Sequence, residues 1–153
     1  GGTYCTLCSK FRRAILYDQS SLKGAKKLAL GHHRDDLIQT LLLNMFYVGH
    51  LASMPPKLLN DQQSHVVIRP MCYVSENDLI SLAEHWNFPI IPCNLCGSQD
   101  GLKRKRMKKL VQDLEKEIPN LSASLLSSMA KITPSQLMDR ELSDFKNLES
   151  LLK

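Results

Sequence analysis

The stretch "KKLALGHHRDDLIQTLLLNMFYVG" restricts the fold of this chain more than any other. Lys26 to Leu30, "KKLAL", reads as a short buried strand, and Gly31 permits a tight exit from it. Leu37, Ile38, Leu41, Leu42 and Met45 then recur at helical spacing. Asp35 and Asp36 fall in the first turn of that helix, where the backbone dipole favours negative charge. Gly49 is placed to end it. A strand that passes through glycine into a capped helix is one βα unit, and such units imply parallel strands.

The alternation extends in both directions. Upstream, "SKFRRAILYDQSSLKGA" sets Phe11, Ala14, Ile15, Leu22 and Ala25 on a helix that closes near Gly24. Downstream, Met54-Pro55-Pro56 forbids a helix and marks a loop or the approach to a hairpin. Val66 to Pro70 is the next strand. Ser75 is an N-cap for a helix whose core face is Leu79, Ile80, Leu82, Ala83 and Trp86. Phe88 to Ile91 is a third strand. The pattern predicts an α/β fold, a parallel sheet flanked by helices. Beyond residue 100 the character turns helical, with segments Leu102–Pro119, Asn120–Ile132 and Ser135–Glu149. This divides the chain into a domain over residues 1–100 and a helical C-terminal extension over 101–153 packed on it.

At 153 residues the chain is long enough for one domain with a core, and 43% hydrophobic with 23% charged residues is a globular balance. No apolar run reaches bilayer length. The net charge of +5 is concentrated in "KRKRMKK", Lys103 to Lys109, six basic residues in seven positions. Such a run is either a solvated helix face or a patch for phosphates.

Four of the five cysteines form two Cys-x-x-Cys pairs, Cys5/Cys8 and Cys93/Cys96. An odd count in a chain of this size argues against a disulfide framework. Three uses remain open: a four-thiolate zinc site, an iron–sulfur cluster, or a redox dithiol. Cys72, among apolar neighbours, reads as a small buried hydrophobe. In "GHHRDD" a strand end meets two histidines, an arginine and two aspartates. Ligands of parallel sheets bind beyond the carboxyl ends of the strands. Carboxylates there suit a magnesium ion, an amine or a reacting base, and His or Arg N–H groups suit developing phosphoryl charge.

"CTLCSKFRRAILY", "ALGHHRDDLIQTLLLNMFY", "MPPKLL", "VIRP" and "FPIIPCNLCGSQ" together resemble the tRNA-cytidine 2-sulfurtransferases of the PP-loop ATPase superfamily. The resemblance is clearest from Cys5 to Gln99 and thins after Lys109. It implies an adenine nucleotide α-hydrolase-like (PP-loop/Rossmann-like) fold. It implies use of ATP and Mg2+ to adenylate the C2 oxygen of cytidine 32 in a tRNA anticodon loop, which sulfur then displaces to give 2-thiocytidine. It implies a 4Fe-4S cluster on three cysteines, matched by Cys5, Cys8 and Cys96, with Cys93 spare or exchanged for Cys96. Gly31 and His32 would border the nucleotide, and Asp35 or Asp36 would serve the active centre. Arg12, one helical turn beyond Cys8, would face the cluster and the AMP phosphate. Arg69 at a strand end would reach phosphate or tRNA, and Lys103, Arg104, Lys105 and Arg106 would hold the tRNA backbone. The implied partners are tRNA, a cysteine desulfurase as sulfur donor and a second copy of the chain, in the cytoplasm and without a membrane.

One family element departs. The Ser-Gly-Gly-x-Asp-Ser loop that wraps the ATP pyrophosphate occurs nowhere in the 153 residues. The family places it well before the first cysteine pair, so the expectation is an N-terminally truncated chain that binds ATP poorly and is inactive alone. The alternatives are a zinc-stabilised RNA-binding module using all four paired cysteines, or another PP-loop enzyme such as a uridine thiolase or a lysidine-type ligase.

Overall fold

The computed structural model describes residues 4–90, 99–139 and 141–152. The elements run α1 (Tyr4–Leu22), β1 (Lys27–Ala29), α2 (Arg34–Leu43), β2 (Lys57–Leu59), β3 (Val66–Ile68), α3 (Glu76–His85), α4 (Gln99–Leu114) and α5 (Leu121–Ser128). A π-helical turn, Asn44–Val48, extends α2, and short 3-10 turns lie at Pro134–Gln136 and Leu148–Leu151. The glycine stops hold. Gly24 (φ 67°) follows α1, and Gly49 (φ 74°) follows the π turn, both in the left-handed region that costs glycine least.

The sheet has the order β1–β3–β2. β1 pairs with β3 in parallel, Leu28 opposite Val67, and Leu30 N–H continues the ladder to Ile68 O at 2.9 Å. This is the predicted βα crossover, with α2 as its helix. β2 pairs with β3 antiparallel, Leu58 opposite Val67. The sheet is therefore mixed, and one of its strands differs from the sequence reading. Residues 88–90 form no strand and Ile91 lies outside the described residues, while Lys57–Leu59 supplies the third strand. The cause is local. Asn60 Oδ1 accepts the N–H groups of Ser64 (2.8 Å) and His65 (3.0 Å), closing a hairpin turn with Gln63 at φ 55°. Pro55-Pro56 blocks a helix before β2 but suits extended backbone.

His65 is 5% exposed and joins the hairpin to α1. Its ring nitrogens lie 2.9 Å from Ser64 Oγ and 3.4 Å from Ser21 Oγ, and its ring packs 5.3 Å from that of Tyr17. Cys72 is 2% exposed, as a small core residue.

The core sits between α2 and the helices after residue 100. Ile38 and Leu42 pack against Met107 and Val111, with Leu110, Leu125 and Met129 closing round them. Burying each such side chain contributes about 1.5–3 kcal/mol. The segment expected as an extension thus contributes Met107 and Val111 to the core. Its last part is less helical than predicted, with 3-10 turns in place of a helix over Ser135–Glu149. Asp139 Oδ1 accepts the N–H groups of Glu141 (2.9 Å) and Leu142 (3.2 Å), a local turn that competes with helix.

α3 begins as predicted, Ser75 Oγ accepting from Asp78 N–H at 3.1 Å. Its predicted core face does not close. Leu79 and Ala83 are half-buried, but Ile80, Leu82 and Trp86 are exposed. The described elements leave that face uncovered, and Trp86 packs edge-on against Phe88 instead. Among the described residues no helix is long and apolar enough to cross a membrane.

Candidate functional site

The "GHHRDD" turn lies at the carboxyl end of β1, and each of its side chains has a distinct task. His33 is the extended residue that caps α2 (φ −112°, ψ 176°). Its N–H donates to Asp36 Oδ2 at 3.1 Å, satisfying a backbone donor at the helix entry. The same carboxylate stands 3.3 Å from His33 Nε2. Its other oxygen lies 3.6 Å from Arg104 Nη1 of α4. Asp36 therefore ties the turn to α4.

Asp35 faces the other way. Its Oδ2 accepts the N–H of Glu76, the first residue of α3, at 2.8 Å. Arg34 N–H donates to Val74 O at 3.0 Å beside it. Asp35 thus caps α3 from a distant point in the sequence, with Arg34 Nη2 3.7 Å from Oδ1. Lys108 on α4 reaches Glu76 at 2.7 Å and completes the frame around the two helix starts. A shallow polar cleft, lined by Arg34, Asp35, Gln39, Glu76 and Lys108, lies between them.

His32 points into neither pairing. It is half-buried, and its Nδ1 is buried without a hydrogen-bond partner. Burial lowers its pKa below the ordinary 6.5, and the charges of Arg69, Arg104 and Arg12 lower it further against the opposing pull of Asp36. Three arginines from separate parts of the chain thus disfavour the charged form of one imidazole: Arg12 from α1, Arg69 from the end of β3 and Arg104 from α4. Such a ring keeps one N–H to give while the surrounding field favours an anion.

Gly31 is exposed, and a Cβ there would come 3.4 Å from Met71 Cε, so the strand exit runs close to the loop after β3. Arg69 is not the surface contact expected for RNA. It is 8% exposed, its Nη1 donates to Pro55 O at 2.6 Å, and its N–H donates to Pro56 O at 2.8 Å. Desolvation lowers its pKa, with Tyr17 and Cys72 opposing. It acts as a strut for the loop before β2 and lends its charge to His32.

The basic run also divides. Arg104 and Lys108, one turn apart, face inward to Asp36 and Glu76. Lys103 Nζ sits 4.8 Å above the ring of Tyr47. Lys105, Arg106 and Lys109 are exposed. Periodicity alone could not assign these partners, because they come from α2, α3 and the π turn. Tyr47 and the two inward ion pairs are the contacts that sequence reasoning missed; the crowding of Met45, Phe46, Tyr47 and Val48 before a glycine was the available signal.

The first cysteine pair lies within a helix, not in a turn. Cys5 is in the first turn of α1, Cys8 is exposed, and Arg12 follows one turn later and is also exposed. Cys93 and Cys96 lie outside the described residues. Among the described residues no group of three His, Cys, Asp or Glu is placed to hold a metal.

Comparison with known proteins bears on this arrangement. The chain is 65% identical over 150 residues to the tRNA-cytidine(32) 2-sulfurtransferase of Bdellovibrio bacteriovorus, covering 98% of this chain and 58% of that protein. It is 55% identical over 148 residues to the protein of that name from Coxiella burnetii (97% and 58% covered) and 52% identical over all 153 residues to that from Legionella pneumophila (100% and 54%). The chain belongs to the tRNA-cytidine(32) 2-sulfurtransferase family. It spans a little over half the length of these relatives. No family model matches it. Among solved structures it shares its fold with the U34-tRNA thiolase NcsA from Methanococcus maripaludis with its 4Fe-4S cluster, at a TM-score of 0.65 and 22% identity, covering 85% of this chain and 44% of that one. The chain therefore has the α/β fold of that solved structure, as the sequence pattern predicts.

Proposed function

We propose that this chain carries the cysteines and one wall of the nucleotide site of an ATP-dependent tRNA-cytidine 2-sulfurtransferase. In this reading the C2 oxygen of cytidine 32 takes AMP from ATP with release of pyrophosphate. Sulfur then replaces that oxygen at C2 and AMP departs. The observation that carries the reading is the 65% identity to the Bdellovibrio 2-sulfurtransferase, and beside it stands His32 at the end of β1, its Nδ1 buried without a hydrogen-bond partner and its pKa lowered by burial and by Arg69, Arg104 and Arg12. The developing negative charge of a departing AMP would be stabilised there. Asp36, held between His33 and Arg104, keeps the turn and α4 in register and is the carboxylate on the His32 side. Asp35 is engaged with α3, so its part in the reaction is to position.

The donor set fits a cluster. Cys8 is an exposed free thiol next to Cys5 on α1, and thiolates are the donors that iron–sulfur clusters require. Cys5, Cys8 and Cys96 would hold it, and when bound it supplies an iron with an open position for sulfide. Magnesium would accompany ATP, and tRNA, a desulfurase and a second copy would be the partners. Without a Ser-Gly-Gly-x-Asp-Ser loop, the chain by itself would not thiolate tRNA.

The test is a graft. This chain replaces the matching segment of the Bdellovibrio relative, and 2-thiocytidine is measured in digested tRNA. The graft should restore the modified base, and Asp36→Ala within it should abolish it. A folded graft that yields no 2-thiocytidine overturns the proposal. Iron, sulfide and zinc measured on the same protein decide the metal. Iron lost with Cys96→Ala and kept with Cys93→Ala supports the three-cysteine cluster. One zinc lost equally with either points to a four-thiolate site.

A further inference from the structure

The π turn after α2 has no part in the site described above, yet it holds an unusual surface. Phe46 is 55% and Tyr47 46% exposed, followed by exposed Val48 and Leu51. The turn is held in place. His50 N–H donates to Asn44 O at 3.1 Å, Asn44 Nδ2 to Ala52 O at 2.8 Å, and Ser53 Oγ to Leu37 O at 2.6 Å. Gly49 in the left-handed region ends the turn, its N–H donating to Asn44 O. Single π turns within helices recur at functional sites. Lys103 joins this turn to α4 through its contact with Tyr47, and the same helix carries exposed Lys105, Arg106 and Lys109.

We infer that Phe46 and Tyr47 form a stacking platform for unpaired bases of an RNA, with Lys103 and Arg106, three residues apart on one face of α4, holding the adjoining phosphates. Aromatic rings with cations at their edge are what single-stranded RNA requires: a flat face for each base and positive charge along the backbone. Charge complementarity selects RNA over a protein occupant, because no acidic residue interrupts Leu102 to Leu110 on the adjoining helix. This inference rests on the tRNA reading and extends it to residues outside the catalytic turn. The base-stacking face reads looped or splayed nucleotides, and the basic face alone would take any duplex.

The test measures binding of this chain to a short RNA hairpin with an unpaired loop, and to an RNA duplex of equal phosphate count, by fluorescence anisotropy across a salt series. The double variant Phe46→Leu/Tyr47→Leu keeps apolar volume and removes the rings. It should weaken hairpin binding by about tenfold or more and leave duplex binding and the salt slope unchanged. Lys103→Gln/Arg106→Gln should weaken both RNAs and reduce the slope by roughly 2. Equal hairpin affinity for the leucine variant and the parent overturns the platform, while a weakened charge variant still supports the tRNA reading. Loss of a dimer in sedimentation, with RNA binding intact, reassigns the rings to self-association. If the parent binds neither RNA, the platform and the basic face both fall.

Discussion

α2 and α3 are each ten residues long, each begins with carboxylates in its first turn, and each follows an extended capping residue. Their fates differ. α2 buries Leu37, Ile38, Gln39, Leu41 and Leu42, whereas α3 buries nothing. The difference lies opposite them rather than within them. α4 and α5 lie against α2 and bring Met107, Val111, Leu125 and Met129 to it. The described elements bring no such face to α3, and Ile80 stays 45% exposed. Amphipathic spacing states that a helix has a face to bury, and only a partner makes the burial real.

The comparison can be broken at its strongest point first. Ile38→Ala removes a side chain buried to 2% and should cost about 2–5 kcal/mol in urea unfolding. Loss of less than a third of that would mean the α2–α4 core collapses around the gap or is looser than the geometry implies. Next, Asp35→Ala removes the carboxylate that caps α3 from α2, and should cost about 1 kcal/mol. That loss should appear as greater amide exchange at the start of α3, and an unchanged exchange pattern would deny the cap.

His32 sharpens the same contrast through pH. Its pKa is lowered in the folded chain, so the unfolded chain binds the proton more readily. The stability it contributes is full above pH 6.5 and falls as the pH drops from there through the folded value. His32→Asn, neutral throughout, should flatten that decline in unfolding experiments run below pH 6.5, and an identical decline would remove His32 as its source. The smallest effect belongs to Ile80→Ala on the uncovered face of α3, expected within about 0.5 kcal/mol of the parent. A loss as large as that of Ile38→Ala would show that something covers α3 in solution.

Much of the frame was legible beforehand. Gly24 and Gly49 stop their helices because the left-handed backbone they adopt is cheapest for glycine. β1 and β3 pair in parallel around α2, as a strand–helix–strand pattern requires, but β1 is not the buried strand expected: Lys27 and Ala29 are exposed and Leu28 is half-buried. The "GHHRDD" cluster was legible as the turn from a strand end into a helix. What its members do was not. Two adjacent aspartates in one helical turn look equivalent in sequence, yet Asp35 caps α3 while Asp36 holds Arg104. Successive residues of a helix point about 100° apart, so neighbours in sequence meet different elements. The basic run divides for the same reason, with Arg104 and Lys108 turned inward and Lys105, Arg106 and Lys109 outward.

The third strand shows the other limit. "FPII" and "KLL" are both short apolar runs, and periodicity does not rank them. The hairpin turn at Asn60 brings "KLL" to β3 at little loop cost, and that decides the pairing. The sequence alone therefore determined the glycine stops at Gly24 and Gly49, the βα crossover and the family, because these rest on local backbone preference and on residues met in order. The tertiary structure decided which strand completed the sheet, which apolar face was buried, and which charges met around His32. Those outcomes depend on groups far apart in the chain, and no local preference contains them.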